Sequence, residues 1–441
     1  MHGQAGARYL WTQGLTPPRF PALPGDVETP VLVIGGGLAG VLCSLRLQQA
    51  GVEHLLVEGG RIGQGITKGT TAVLTAQQDT LYQDMIRRHG REKAALYLQA
   101  NCRAVEQYRR LTAQFPCDFE TLPSVMYSVD DAAKMQQEAA AVRSLGLPAR
   151  FQRRTAMPFP VAGAVLYPGM AQFHPLKFLY AAARNLPIYE DTFVERLEGT
   201  TAVTRRGRIR AQKVIVATHF PFINRRGLYF MKLYQQRSYV VALQGAPAIG
   251  CTIEDVRPGG IYLRNYGGLL LVGGGSHRTG KQKPGQGFAA PRDFAEKYYP
   301  QAKEVAAWAN QDTVPLDGVP YIGPYSPAMP QVFVATGFNL WGMTTSMVAA
   351  NILCDAVCGR ENPYAAAFRP QRTALTGQLF ANLGQTLLTF VTPTAPRCPH
   401  LGCALKWNAA EHSWDCPCHG SRFDRHGRLQ DNPAMKNIRC N

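Results

Sequence analysis

Cys398-Pro-His400 and, after a gap of fifteen residues, Cys416-Pro-Cys418-His419 gather thiols and imidazoles in the last 44 residues of a 441-residue chain. Two thiolates and two imidazoles at C-x-H and C-x-x-H spacing form a ligand set for a metal. Both an iron–sulfur cluster and a tetrahedral structural zinc accept that set. One feature weighs towards electron transfer: zinc needs no further cysteines such as Cys403 and Cys418. At the other end, the apolar run Pro30–Ile34 is followed by Gly35-Gly36-Gly37-Leu38-Ala39-Gly40 and a helix-like stretch, Val41 to Gln49. Gly35 permits the tight turn, Gly37 lets a pyrophosphate approach the backbone, and Gly40 lets helix pack on strand. The helix start offers N–H groups and a positive dipole end to the phosphates. A second apolar strand, His54–Val57, ends in Glu58, an acid positioned to accept from a ribose hydroxyl.

The full runs Cys398-Pro-His400-Leu401-Gly402-Cys403 and Cys416-Pro-Cys418-His419-Gly420-Ser421 resemble the two cluster-binding loops of a Rieske iron–sulfur domain. The resemblance implies a [2Fe–2S] cluster with Cys398 and Cys416 as thiolate ligands and His400 and His419 as imidazole ligands. It also implies Cys403 and Cys418 as a loop-to-loop disulfide pair, as in respiratory members. Imidazoles in place of thiolates remove negative charge and raise the potential to roughly −150 to +300 mV. Several strands that precede the first loop in a full domain are missing. Leu375, Leu379, Phe380, Leu383, Leu387, Leu388 and Val391 recur at helical spacing instead, so a shortened module behind a linker helix is expected.

Three further segments follow in order: Lys213–Thr218, Asp317–Gly323 and Gln331–Phe338, the last leading to Gly342-Met343-Thr344-Thr345 at the start of a helical run to Cys354. This order resembles the FAD-dependent family of D-amino-acid, glycine and sarcosine oxidases, over about residues 29 to 368. It implies FAD held by Gly35, Gly37, Gly40, Glu58, Thr67, Val194, Ala217, Gly337, Gly342, Met343 and Thr344, with the strand at Phe193-Val194 beside adenine and the Gly337–Thr345 segment along the flavin ring. The two ends together resemble a bacterial group of FAD-dependent oxidoreductases with a Rieske domain.

The expected fold is an α/β Rossmann-like FAD-binding domain with an interleaved α+β substrate domain and a small C-terminal Rieske-like β module. By residue, this means an N-terminal arm (1–28), a discontinuous FAD-binding domain (29–80, 155–228 and 308–368) and a substrate domain (81–154 and 229–307). A linker helix (369–397) and the shortened module (398–441) follow.

Tyr262, Arg264 and His277 are the substrate-site candidates: they surround the strand Leu269–Val272, and a hairpin there would present a hydroxyl, a guanidinium and an imidazole to the flavin. A surface hairpin accounts for them as well. Glycine-oxidase-like relatives place an arginine for the substrate carboxylate shortly before the D-G-x-P-x-I-G motif, whereas Asn310-Gln311-Asp312-Thr313 stands here. The resemblance therefore speaks for an amine or amino-acid-like substrate but against simple amino-acid oxidation. Electrons are expected to pass between that substrate, FAD, the cluster and a one-electron carrier protein or other acceptor, in either direction. Two rivals are an oxygen-using flavin oxidase with a zinc-bearing or empty tail, and a redox sensor without small-molecule turnover.

With 46% apolar and 17% charged residues the chain is globular. A net charge of +17 invites nucleic acid, but clusters such as Arg205-Arg206, Arg208 and Arg210 are short and read as a solvated hairpin face. Attraction of an acidic partner or anionic substrate is expected instead. No run has the length of a membrane span. Residues 1–28 lack the basic-then-apolar order of a secretory signal, and Pro17-Pro18, Pro21 and Pro24 predict an extended arm over the surface. A cytoplasmic location follows as the expectation.

Overall fold

A computed structural model of the chain describes residues 8–223, 226–372 and 396–438. The run Val31–Ile34 has no polar face, as a strand covered on both sides requires. It forms the end of Val27–Ile34, which pairs in parallel with Gly207–Val216 on one side and His54–Val57 on the other. Met329–Thr336 extends this eight-stranded sheet in parallel, and Tyr321–Ser326 closes it as an antiparallel edge. Val31 and Val33 point into a core shared with the packed helices Leu38–Gln49 and Gly342–Val357, while Leu32 and Ile34 enter a second core on the opposite face.

Gly40 sits where the first helix crosses the glycine turn. A Cβ there would lie 1.8 Å from the Gly35 carbonyl oxygen, a backbone atom that has no rotamer to escape into. Overpacking commonly costs about 1–3 kcal/mol and occasionally more. Gly40→Ala is therefore expected to lower the thermal midpoint and to release flavin, read by calorimetry and flavin fluorescence.

The second sheet has nine strands, eight of them in the order Lys303–Pro315, Leu233–Gln244, Leu269–Arg278, Tyr262–Tyr266, Thr252–Asp255, Glu120–Ser128, Gly163–Gln172 and Val73–Leu74. It moves two expected boundaries. Gly163–Gln172 and Lys303–Pro315 fall in segments assigned from sequence largely to the FAD-binding domain. Each instead pairs along most of its length with a strand of the substrate sheet, Glu120–Ser128 and Leu233–Gln244 respectively. Such long-range antiparallel pairing leaves no local mark in the sequence.

The arm also departs from expectation. Instead of lying extended over the surface throughout, it makes a short 3₁₀ turn at Leu10–Thr12 that buries Trp11 completely. The indole Nε1 donates to the Thr70 carbonyl at 2.6 Å, and the rings of His174 and Tyr266 meet it edge-on. The expected helix from Leu375 to Val391 lies outside the described residues. Beyond it, Lys406–Asn408, Ser413–Asp415, Arg422–Asp424 and Leu429–Asp431 form a four-stranded antiparallel sheet between and after the two Cys/His loops. Among the described residues no helix is long and apolar enough to cross a membrane.

Candidate functional site

A cavity of about 490 Å³ opens over the carboxyl ends of the parallel strands, the place where doubly wound sheets bind ligands. Of the residues expected to hold FAD, Gly35, Gly37, Glu58, Thr67, Val194, Ala217, Gly337, Gly342 and Met343 line it. A Cβ added to Gly37 would meet only the Thr67 hydroxyl, at 3.6 Å, so the turn keeps an open face for a phosphate. Gly37, at the start of helix Leu38–Gln49, has no side chain to cap it. Glu58 accepts from the Gly36 and Gly60 amides at 2.6 and 2.8 Å. Burial pushes its carboxyl up against those bonds. Each oxygen retains a second lone pair for a hydroxyl donor. These features fit a dinucleotide. Gly40 and Thr344 do not line the cavity: Gly40 packs under Gly35, and the Thr344 hydroxyl accepts from the Thr75 amide at 2.9 Å. His219, which sequence inspection passed over, borders the cavity with a left-handed backbone (φ 65°). Burial pulls its imidazole down to about 4.

A second cavity of about 330 Å³ shares Ile66, Asp312, Gly342 and Met343 with the first. Strand alternation builds its floor: Tyr234, Gln236 and Ser238 on one strand, Asn310, Asp312 and Val314 on the next, then Thr252 and Glu254, and Tyr262 and Arg264. Tyr262, whose phenol burial pushes up, lies across Gly273, where a Cβ would strike its ring. Arg264 is 1% exposed. Its Nη1 donates to the carbonyls of Thr71 and Ala72, and its guanidinium faces the rings of Trp11 and Tyr266. Burial lowers it to about 9. His277 lines neither cavity. It stacks on Tyr239, whose hydroxyl is 2.9 Å from its Nε2, and so belongs to the opposite face of the sheet.

That opposite face receives the C-terminal module. Gln235, between cavity-lining Tyr234 and Gln236, donates from Nε2 to the carbonyls of His419 and Asn432, each at 2.8 Å. Gln311, between Asn310 and Asp312, donates to the Gly420 carbonyl at 2.8 Å. Arg278 donates to the carbonyls of Pro417 and Cys418 at 3.1 and 2.8 Å. Asn432 donates to the carbonyls of Thr218 and Phe220 at 2.9 and 2.7 Å. Asp431, Asn432, Ala434 and Met435 thereby become part of the wall of the larger cavity.

Within the module the loops bring the sequence candidates together. The rings of His400 and His419 lie 4.9 Å apart, and they meet Phe220 and Phe230 edge-on at 6.4 and 6.0 Å. Burial pulls both imidazoles down, to about 3 and about 4, keeping them in the neutral form a metal requires. The Nδ1 of His419 is buried with no hydrogen-bond partner among the described residues. The sulfurs of Cys403, Cys416 and Cys418 lie within 4.8 Å of one another, and Cys398 is beside Cys416. A soft, buried set with an imidazole nitrogen left over fits a metal cluster. Cys403 and Cys418, the expected disulfide pair, are both buried, with their sulfurs within 4.8 Å of each other.

Comparison with known proteins agrees with this geometry. The family model described as FAD dependent oxidoreductase (DAO) matches residues 30–356, and the Rieske [2Fe-2S] domain model matches residues 390–441. The Rieske 2Fe-2S iron-sulfur protein YhfW of Bacillus subtilis (strain 168) is 32% identical over an aligned 493 residues, covering 97% of this chain and 96% of that protein. The cytochrome b6-f complex iron-sulfur subunit 1 of Nostoc sp. (strain PCC 7120) is 51% identical over 41 residues, 9% of this chain and 23% of that one. Among solved structures, glycine oxidase from Geobacillus kaustophilus superposes with a TM-score of 0.66 at 21% identity, covering 79% of this chain and 99% of its own, a likeness of fold.

Proposed function

The chain belongs to the DAO family of FAD-dependent oxidoreductases and ends in a Rieske [2Fe–2S] domain, and on that premise we propose that it is an intramolecular electron converter. A small amine or amino-acid-like molecule is oxidised in the cavity bordered by Tyr262 and Asp312, and its electrons leave one at a time for a carrier protein. FAD supplies two-electron chemistry at a C–H bond, and the [2Fe–2S] cluster supplies one-electron transfer.

The chain's own residues hold and orient these groups. Gly35, Gly37 and the amide end of helix Leu38–Gln49 receive the pyrophosphate, and Glu58 the ribose. Val194 serves the adenine end, while Ala217, Gly337, Gly342 and Met343 border the remainder. Thr67 ties the turn by accepting from the Leu38 amide at 3.1 Å. Cys398, Cys416, His400 and His419 hold the cluster. Gln235, Gln311 and Arg278 fix the second loop by its carbonyls, and the charge of Arg278 favours an added electron nearby.

A single observation carries the proposal: Asp431, Asn432, Ala434 and Met435 of the cluster-bearing module line the flavin cavity itself. The two redox groups then share one wall, and that wall shields the flavin from water and oxygen. Flash reduction of the flavin without oxygen tests this. First-order reduction of the cluster, at a rate independent of protein concentration, is expected. A rate proportional to protein concentration, or no cluster reduction, would sink the intramolecular relay.

A further inference from the structure

The cavity beside the flavin site is lined by four carboxylates, Asp79, Glu254, Asp255 and Asp312, and two guanidiniums, Arg257 and Arg264. Arg257 is fully engaged and Arg264 in part, its Nη2 having no hydrogen-bond partner among the described residues. Arg257 clasps Asp255 through Nε and Nη2 at 3.1 and 2.6 Å. Arg264 donates to the Thr71 and Ala72 carbonyls and lies against the electron-rich faces of Trp11 and Tyr266, at 5.3 and 5.8 Å. The other three carboxylates have no ion pair among the described residues. Asp79 has the neutral indole of Trp341 beside it and feels Lys134 only through space, and Glu254 feels the like charges of Asp79 and Asp255. The Arg237 guanidinium acts on Asp312 through space but is paired with Glu411 on the far face of the sheet. Burial pushes the carboxyl of Asp79 up to about 6 and that of Asp312 to about 7.

Unpaired charge gathered in a largely desolvated cavity is costly unless a ligand supplies the counter-charge. A second feature of the wall concerns the same ligand. Gln77 is 1% exposed, its Oε1 is occupied by the Ser124 hydroxyl at 3.0 Å, and its buried Nε2 has no acceptor among the described residues. An amide donor of this kind suits the lone pair of a neutral amine nitrogen. Resting on the reading of this cavity as the substrate site, we infer that it admits a cationic alkylamine with at least two nitrogens, a diamine or polyamine, and not a free α-amino acid. One nitrogen remains an ammonium between Asp79 and Glu254. The other sits neutral nearer the flavin, with Asp312 at the junction of the two cavities to take its proton. An amino acid would bring its carboxylate among three others of like charge. The expectation of an anionic substrate from the overall +17 is reversed locally, because four carboxylates line this cavity against two guanidiniums.

The test uses the full chain loaded with FAD and cluster, oxidised and free of oxygen, titrated with putrescine, spermidine, glycine, D-alanine and L-proline. Calorimetry and the flavin spectrum are the readouts. Putrescine or spermidine is expected to bind and to perturb the spectrum, with a heat that changes with buffer because protons are exchanged with the wall. Glu254→Gln and Asp79→Asn are each expected to weaken that binding about tenfold or more, which is about 1.4 kcal/mol. Flavin content and thermal midpoint report on folding, and Asp312→Asn serves where either variant loses flavin. Absence of diamine and polyamine binding overturns the inference. Equal binding in the variants overturns it too, as does preferential binding of glycine, D-alanine or L-proline, which would turn attention to the unpartnered Nη2 of Arg264. Failure of the electron relay would leave the binding results unchanged, so the two readings fall separately.

Discussion

Glu411→Gln is expected to destabilise the docked module by about 3–5 kcal/mol, the usual effect of removing one partner from a buried ion pair. Glu411 sits between two guanidiniums. Arg237 from the substrate sheet donates to it through Nε at 2.8 Å, and Arg422 from the module donates through Nη2 at 3.0 Å. Arg237 is 3% exposed, so the neutral amide would leave its charge buried with only Asp431, at 3.9 Å, to face. Burial acts to raise the Glu411 carboxyl, yet the two guanidiniums prevail and hold it at about 2. A carboxyl depressed in the folded state contributes fully above its unfolded value of about 4.3 and loses that contribution as pH falls towards the folded one. Thermal midpoints of wild type and variant should therefore differ most near neutrality and converge as pH falls from about 4.3 towards about 2. A constant difference across that range would assign the effect to packing. Replacing Arg237 and Glu411 together by Met should recover much of the loss, since a well-packed apolar pair is often no worse than a buried ion pair.

What the sequence discloses follows the range of the interaction. His54–Val57 appears as a strand with the bounds its apolar run predicts, and the helix expected from Gly342 begins there because a local pattern suffices. The Cys/His loops are legible for the same reason: ligands and small residues sit within six positions of one another. The surroundings of Arg264 are not legible, because the Trp11 ring that its guanidinium faces comes from a segment some 250 residues away. Gln235 and Gln311 are invisible as docking residues. Alternation along Leu233–Gln244 and Lys303–Pro315 announces two faces, but only tertiary pairing decides that one face borders the substrate cavity and the other holds the module. Asp79 and Glu254 come from distant segments, and neither neighbourhood carries a motif.

Cys416→Ser should abolish the cluster and leave the flavin in place. Cys416 is 1% exposed, and its loop is closed on both sides, by its amide donating to the Ser421 carbonyl at 2.9 Å and by the Gly420 amide donating to its carbonyl at 3.0 Å. Serine preserves that backbone and nearly the same volume, so the loop keeps its shape while the soft thiolate is lost. Iron held partly by thiolate tolerates the exchange poorly. The purified variant is expected to show the flavin spectrum of the wild type without Rieske-type EPR after dithionite. Its flavin should still be reduced by a substrate, but reduction of a one-electron acceptor should fall at least a hundredfold, about 2.7 kcal/mol in barrier. Cys403→Ser, at a position outside the proposed ligand set, separates ligation from packing: it should retain iron and EPR. Equal loss of iron in the two variants would overturn the ligand assignment. A persistent cluster in Cys416→Ser would place the second thiolate on Cys403 or Cys418, whose sulfurs lie within 4.8 Å of that of Cys416.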